Sequence, residues 1–485
     1  MTTRGMIGKD VLQVNPQPTF DLSPNLFMQF MEPLGTADPS IEAGWDFRRH
    51  CWREDLVKVT RELAPPLIRW PGGCFTSYYR WKEAIGPLDK RKPVVNLCWG
   101  GIESNHVGTH EFIDFCRQVR ADPLIAVNFE ADGRKNWARP PGLGVRTAGP
   151  AEAAEWVDYC NNPANRLRKR HGAREPFGVR LWQIGNETSY DRNGYDCETT
   201  ARRTVAFAKA MRKADPDIDL IGWGDSGWAP RMAEVAGEHL QYLAFHPGFG
   251  LRSAEIADWP DNPAKAWNHL MACHKVLDER IRLVREQVAG CDIKLACTEG
   301  HFFAGPRGQN PLLRTWAAGV ANARALNVQA RHGDVLKIAT AADFCGNRWE
   351  NNAVMIARGG FSYMMPVARV MSLFRRHMGR KAVAVARAPR ELDVTASRSG
   401  GKVYLHVVNT NRTRDVRAKL HVDGMKLAGG KAFQIADDPW RFITDIEREM
   451  FAPLERRVPA NGNWTFPAAS VTAIELAVEP REARG

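Results

Sequence analysis

Between about residue 20 and residue 375 the chain alternates short apolar or β-branched runs with longer amphipathic stretches, and no other feature restricts the fold so strongly. Such runs are strands buried on both faces, and the helical stretches between them return the chain for the next parallel strand. Candidate strands fall at 26–31, 67–70, 124–129, 179–184, 220–224, 242–246, 293–297 and, less sharply, 353–357. Eight strands are what a closed (β/α)8 TIM barrel needs. Between them, Phe112, Phe115, Cys116 and Val119 mark one face of a helix over 108–120, with Thr109 placed to cap it. Helices are also expected at 198–214 and 268–288, ended by Asp215-Pro216 and Gly290, and at 367–378, with Gly379 placed for a C-terminal cap.

After residue 380 the texture changes. The runs 401–409 and 470–478 have strand character and are separated by turn signals such as Asp423-Gly424 and Asn461-Gly462-Asn463. This predicts a C-terminal antiparallel β-sandwich over 380–485, joined by residues 1–18 because the Val11 to Val14 run needs a strand partner. A barrel over 19–379 and one sandwich account for all 485 residues.

Composition narrows the function. The formal charge of +12 is scattered, without a basic stripe or nucleic-acid motif, which argues against a nucleic-acid partner and leaves an acidic polysaccharide compatible. No window is apolar enough for a membrane span and the start has no leader-like apolar stretch, so a cytoplasmic location is expected. Ten Cys without a CxxC pair and 13 His without HExxH spacing predict reduced thiols, no metal and no cofactor. The 16 Trp exceed ordinary usage. An indole face suits sugar C–H groups, although most of these Trp are expected in the core.

Two glutamates carry the chemistry. Leu181-Trp-Gln-Ile-Gly-Asn-Glu187 places Asn186 and Glu187 where an apolar strand ends, and Ile293-Lys-Leu-Ala-Cys-Thr-Glu299 does the same for a later strand. Strand C-termini all open on one face of a barrel, so side chains from strands four and seven can converge across its mouth. Glycoside hydrolysis needs two such carboxyl groups, and a separation near 5 to 5.5 Å implies a covalent glycosyl-enzyme and retained configuration. Two ionised carboxylates that close repel by roughly 3 kcal/mol at an effective dielectric of 20. Glu187 is therefore expected to be the protonated general acid/base and Glu299 the ionised nucleophile.

At these residues the sequence resembles the α-L-arabinofuranosidases of glycoside hydrolase family 51, over about residues 27–365. Phe27-Met-Gln-Phe-Met-Glu-Pro-Leu-Gly35 is similar to that family's first-strand motif and implicates Glu32 in sugar binding. Ile68-Arg-Trp-Pro-Gly-Gly-Cys-Phe75 implicates Arg69 and Cys74, and Trp99-Gly-Gly-Ile-Glu-Ser-Asn-His106 implicates Trp99 as a stacking residue. The resemblance makes Asn186 a ligand of the sugar 2-hydroxyl, keeps His246 in the substrate-binding set and implies a homo-oligomer, often a hexamer; Asn347, in the segment 344–350 that has no clear family counterpart, is also expected to bind substrate. Read from chemistry alone, Arg69 with Glu32 is equally an ion pair at the barrel end, Trp99 simple packing, and Gly72-Gly73 only a turn.

Four departures from the family pattern lie near the sugar pocket. Cys74 stands where Asn is common, and Gly300-His301 where Trp-Asn usually follows the nucleophile. Phe245-His246-Pro247 lacks the usual Tyr, and Ala342-Asp343 replaces Ala-Gln. The expectation is an exo-acting enzyme releasing terminal arabinofuranosyl residues from an oligosaccharide or glycoside. The alternatives are a retaining hydrolase of another glycoside (a β-glucan, xyloside or other pentofuranoside) and a glycan-binding barrel without catalysis. The segment 305–309 is expected to form part of a subsite wall.

Overall fold

The computed structural model describes residues 10–130, 135, 146–192, 194–251, 256, 258–304, 310–357 and 359–480; the expected subsite wall at 305–309 lies outside them. Eight parallel strands follow one another in chain order: Gln29–Phe30, Leu67–Trp70, Asp122–Val127, Leu181–Ile184, Asp219–Trp223, Tyr242–Phe245, Lys294–Cys297 and Leu336–Ala339. The last returns to the first through Met28 N–H to Ala339 O and Ala339 N–H to Asn25 O, each 3.0 Å, and the sheet closes into a barrel. Period-two alternation fills both sides of the wall. Leu67, Leu124, Leu181, Ile221, Ala296 and Ile338 pack inside. Their neighbours Ile68, Ile125, Trp182, Leu220 and Leu295 face the surrounding helices.

The eighth strand is a correction. It is Leu336–Ala339; the run expected near 353–357 lies in Asn352–Ala357, the middle of a three-stranded sheet with Asp343–Gly346 and Phe361–Met364 above the barrel. Three helix ends also differ. Gly108 precedes the helix Thr109–Val119, with its N–H donating to Glu111 Oε2 (2.9 Å). Thr109 Oγ1 instead accepts from Trp156 Nε1 at 3.0 Å. The 268–288 helix is two, Pro263–Ala272 and His274–Gln287, meeting at Cys273. The helix Pro366–Arg376 ends at His377, and Gly379 is required for another reason: a Cβ there would lie 2.6 Å from the Arg398 backbone.

The remaining strands form one nine-stranded sheet. From edge to edge it runs Leu454–Val458, Met425–Ala436, Ser470–Pro480, Lys402–Asn409, Leu392–Ser399, Lys381–Arg387, Val11–Asp21, Val416–Val422, Asn463–Phe466. Residues 459–462 join the two edge strands, and so short a link requires the sheet to curl until its edges approach. Leu12, Val14, Leu405, Val407, Leu420 and Ile474 fill the resulting sandwich core. The N-terminal strand pairs antiparallel with Lys381–Arg387 and parallel with Val416–Val422, so one pair departs from the antiparallel expectation. The sandwich grips the barrel through Trp316 N–H to Arg441 O (2.9 Å) and Trp316 Nε1 to Ala469 O (2.6 Å). Among the described residues no helix is long and apolar enough to cross a membrane.

Candidate active site

The C-terminal ends of the barrel strands surround a cavity of about 350 Å³ lined by Glu32, Cys74, Trp99, Glu187, His246, Glu299, His301, Phe302, Asp343, Trp349 and Asn351, among others. A larger groove of about 710 Å³ lies between barrel and sandwich, away from both glutamates. Glu187 leaves strand four through a sharp turn in which Gly185 (φ +71°) and Glu187 (φ +50°) are both left-handed. Glu299 follows strand seven, and the chain then runs into His301–Ala304, which pairs in parallel with Gly248–Leu251 beyond strand six. The barrel wall is thereby extended past both strands.

The two glutamates meet. One carboxylate oxygen from each and a ring nitrogen of His246 all lie within 4.8 Å of one another. His246 Nδ1 is 2.8 Å from Glu187 Oε1 and 3.7 Å from Glu299 Oε2. Its Nε2 lies 2.9 Å from Thr298 Oγ1, and its backbone N–H donates to Asp225 Oδ2 at 3.0 Å. Trp223 packs against the ring edge-on, 4.7 Å between centroids. Burial depresses the imidazole to about 3, so His246 is a neutral ring hydrogen-bonded to Glu187 and Thr298.

Arg69, fully buried, donates from Nη1 to Glu299 Oε1 (2.8 Å) and from Nη2 to Asn186 Oδ1. The barrel-end ion pair considered for Arg69 is therefore made with Glu299, not Glu32. With its oxygen taken, the buried Asn186 amide keeps Nδ2 without an acceptor among the described residues, a donor suited to a ligand hydroxyl. Glu32 Oε1 accepts from Trp99 Nε1 and from Phe75 N–H, both at 2.8 Å. Trp99 is thus bonded into the wall, edge-to-face with Trp349 at 5.5 Å. Burial, then the nearby Glu299 charge, pushes the Glu32 carboxyl well above the usual range. Gly73 is more than a turn residue: a Cβ there would lie 1.9 Å from Glu32 Oε2.

Glu187 is also raised, and the leading cause is burial, opposed by Lys135, the Cys74 thiol and Arg69. Glu299, the cause expected from spacing, is not among the leading influences on Glu187; its charge raises Glu32 instead. Cys74 Sγ–H donates to Glu187 Oε2 at 3.3 Å, so the thiol supplies a weak donor at this departure from the family pattern. Two further departures converge on each other: His301 Nδ1 and Asp343 Oδ1 are 3.0 Å apart, and Asp343 Oδ2 accepts from Asn351 Nδ2 (2.8 Å). Burial lowers the His301 pKa, but Asp343 and then the two glutamates overcome it and raise the imidazole.

Asn347 does not join this group. Asp38 accepts the N–H groups of Asn347, Arg348 and Trp349, and this turn leaves Asn347 exposed while Trp349 and Asn351 line the cavity. Lys135 and the His301–Asp343 pair were not assigned from the sequence. Lys135 sits in no motif, whereas His301 and Asp343 were visible as departures without a recognisable partnership. Apart from Trp99 and Trp349, many Trp are core, with Trp70, Trp156, Trp182, Trp223 and Trp316 fully buried.

A closed (β/α)8 barrel with an appended sandwich sets two glutamates opposite each other across its mouth from strands four and seven, the arrangement that glycoside hydrolysis requires. Residues 59–246 match the model of the alpha-L-arabinofuranosidase 1 domain. The chain is similar to an intracellular exo-alpha-(1->5)-L-arabinofuranosidase of Acetivibrio thermocellus, 30% identical over 262 residues, which are 50% of this chain and 45% of that protein. One of the same description from Streptomyces lividans is 34% identical over 250 residues, 46% of this chain and 34% of the relative. The matches thus span less than half of these relatives' own length. Among solved structures, an alpha-L-arabinofuranosidase from Thermotoga maritima in complex with arabinose superposes with TM-score 0.78 at 23% identity, covering 96% of this chain and 99% of that one. The family 51 alpha-L-arabinofuranosidase AbfB of Bifidobacterium longum gives 0.80 at 21% identity with the same coverage. The chain therefore shares the fold of these α-L-arabinofuranosidase structures, and residues 59–246 carry the likeness to their family model.

Proposed function

We propose that the protein is a retaining, exo-acting α-L-arabinofuranosidase-like hydrolase with Glu187 as acid/base and Glu299 as nucleophile. The observation that carries this reading is the approach of the two carboxylates to within 4.8 Å, which suits direct attack and falls short of the wider separation, about 6.5–9.5 Å, that an inverting pair uses. Glu187, its carboxyl raised by burial, protonates the leaving oxygen; Glu299, held by Arg69, attacks the anomeric carbon and forms the glycosyl-enzyme. Glu187 then takes a proton from the water that releases the sugar. Neutral His246 hydrogen-bonds the Glu187 carboxyl beside Glu299. Asn186 Nδ2, Glu32, Arg69, Cys74 and Trp99 form the sugar-binding wall.

The site roles and the division into a barrel of residues 19–379 and a sandwich of residues 1–18 and 380–485 are parts of the same proposal. So are assembly into a homo-oligomer, a hexamer by resemblance, and a cytoplasmic location, which the intracellular relatives support. Aryl glycosides test the substrate. Turnover of 4-nitrophenyl α-L-arabinofuranoside, abolished in Glu299→Gln with ligand binding retained, is the expected result. The His301–Asp343 pair in the pocket wall favours a second reading, a retaining hydrolase of another glycoside. Cleavage of a glucoside or xyloside with silence on the arabinofuranoside would establish it. Wild-type behaviour of Glu299→Gln in every assay would leave only a glycan-binding barrel.

A further inference from the structure

Lys135 lies beneath the pocket with its side chain fully buried, paired with an Asp191 carboxylate that is 2% exposed. Its Nζ donates to Asn186 O (2.5 Å), Glu187 O (3.1 Å) and Asp191 Oδ1 (2.6 Å), so all three ammonium protons have acceptors. A buried ammonium is tolerated only with such compensation. Two of the three acceptors are the consecutive carbonyls of the turn that carries the glutamate opposite Glu299.

That turn is unusual. Glu187 has φ +50° and ψ +40°, a left-handed conformation that crowds the Cβ of a residue with a side chain. Strained backbone of this kind persists where surrounding contacts over-determine it. Here one cation draws two adjacent carbonyl dipoles to a single point, while the side chains leave in separate directions, Asn186 to Arg69 and Glu187 to His246 and Cys74. We propose that Lys135 is a positioning residue for the acid: by clasping the carbonyls of Asn186 and Glu187 it aims the Glu187 carboxyl across the pocket and sets the charge beneath it. This rests on the reading of Glu187 as acid/base.

Charge supports the assignment beside geometry. The groups facing Glu187 are Cys74 and Arg69 from the second strand and its loop, His246 after the sixth, Glu299 and His301 after the seventh, Glu32 after the first, and Lys135 from below. Among the charges that oppose the effect of burial on Glu187, Lys135 is the largest. Removing the ammonium favours the protonated acid, so the alkaline limb of the rate profile, where the acid loses its proton, moves to higher pH.

The experiment compares Lys135→Met and Lys135→Arg with the full-length wild type on an alkyl and a nitrophenyl arabinofuranoside, whose leaving groups need much and little protonation. In Lys135→Met, kcat/KM is expected to fall roughly tenfold or more on the alkyl glycoside and much less on the nitrophenyl one. Its alkaline limb should rise, and Lys135→Arg should recover most of the loss. Equal losses on both substrates with the limb unmoved, or no loss at all, overturn the proposal. Should Lys135→Met not fold, Asp191→Asn keeps the ammonium and removes its counter-charge; the limb must then move to lower pH, and an unmoved limb is refutation. If the wild type cleaves neither glycoside, the functional reading fails separately. Lys135 is then judged by carbon-13 NMR titration of the Glu187 carboxyl, assigned with Glu187→Gln: an upward move in Lys135→Met supports the proposal and a static titration overturns it.

Discussion

Gly73→Ala tests whether the sugar pocket is held by its second wall as the geometry requires. The added Cβ would stand 1.9 Å from Glu32 Oε2 and 2.4 Å from Cδ, against an ordinary contact of roughly 3.5 Å, so the Glu32 carboxyl must retreat by about 1.5 Å. That retreat breaks the bonds that Glu32 Oε1 accepts from Trp99 Nε1 and Phe75 N–H, each 2.8 Å. At about 0.5–1.5 kcal/mol net for each bond, the loss is about 1–3 kcal/mol, or roughly 5- to 150-fold in kcat/KM. On the proposed reading Glu32 and Trp99 contact the sugar before and during reaction alike, so most of the loss should appear in KM. Steady-state kinetics on 4-nitrophenyl α-L-arabinofuranoside, beside a thermal melt, measure it. A folded Gly73→Ala protein with wild-type kcat/KM would show that Glu32 and Trp99 do not form the sugar wall.

Three further outcomes are expected. Glu187→Ala should spare nitrophenyl glycosides far more than alkyl ones, since only the latter need a proton on the leaving oxygen; equal losses count against Glu187 as acid. Arg69→Met leaves Glu299 and Asn186 without their shared guanidinium, and misplacing a reacting group by about 1 Å costs on the order of 100-fold in rate. Its kcat/KM should drop by at least roughly 100-fold, and a drop under tenfold would remove Arg69 from the site. His406 is stacked on Phe374 at 3.9 Å, with Nε2 3.0 Å from His377 O, and burial depresses it from 6.5 to about 3. A lowered histidine pKa means that the unfolded chain binds the proton first. The stabilisation is therefore complete above pH 6.5 and is lost as pH falls towards 3, with a total on the order of 5 kcal/mol. His406→Gln should flatten the decline of urea-unfolding stability over that window, and an unchanged slope would refute the assignment.

The barrel was legible because strands buried on both faces leave continuous apolar runs, and the two glutamates because they follow such runs directly. The eighth strand was not. Leu336-Lys-Ile-Ala339 is four residues long and carries a Lys, whereas Ala353-Val-Met-Ile356 is the stronger apolar run yet serves the sheet above the barrel. Hydrophobicity reports burial, and a covering sheet is buried as thoroughly as a barrel wall. Asn347 failed for a different reason: three N–H groups captured by Asp38 turn its loop outward, a long-range contact with no local signature. Lys135 was equally silent, because a lysine in a Gly- and Arg-containing segment reads as solvated until tertiary structure covers it. His301 and Asp343 each stood out singly, but only the fold brings them to 3.0 Å.

The pairing of Val11–Asp21 with Lys381–Arg387 bears on how the molecule is made. The hydrogen-bonded Asp21 and Lys381 are 360 residues apart, so during translation the earlier strand waits roughly 20 to 70 s for its partner. Throughout that interval an extended apolar ribbon that includes Leu12 and Val14 has no sheet to join, while the barrel assembles behind it. A ribosome paused before residue 381 should therefore hold a nascent chain whose amino-terminal end is open to chaperones and proteases, and completion of the later strands should hide it.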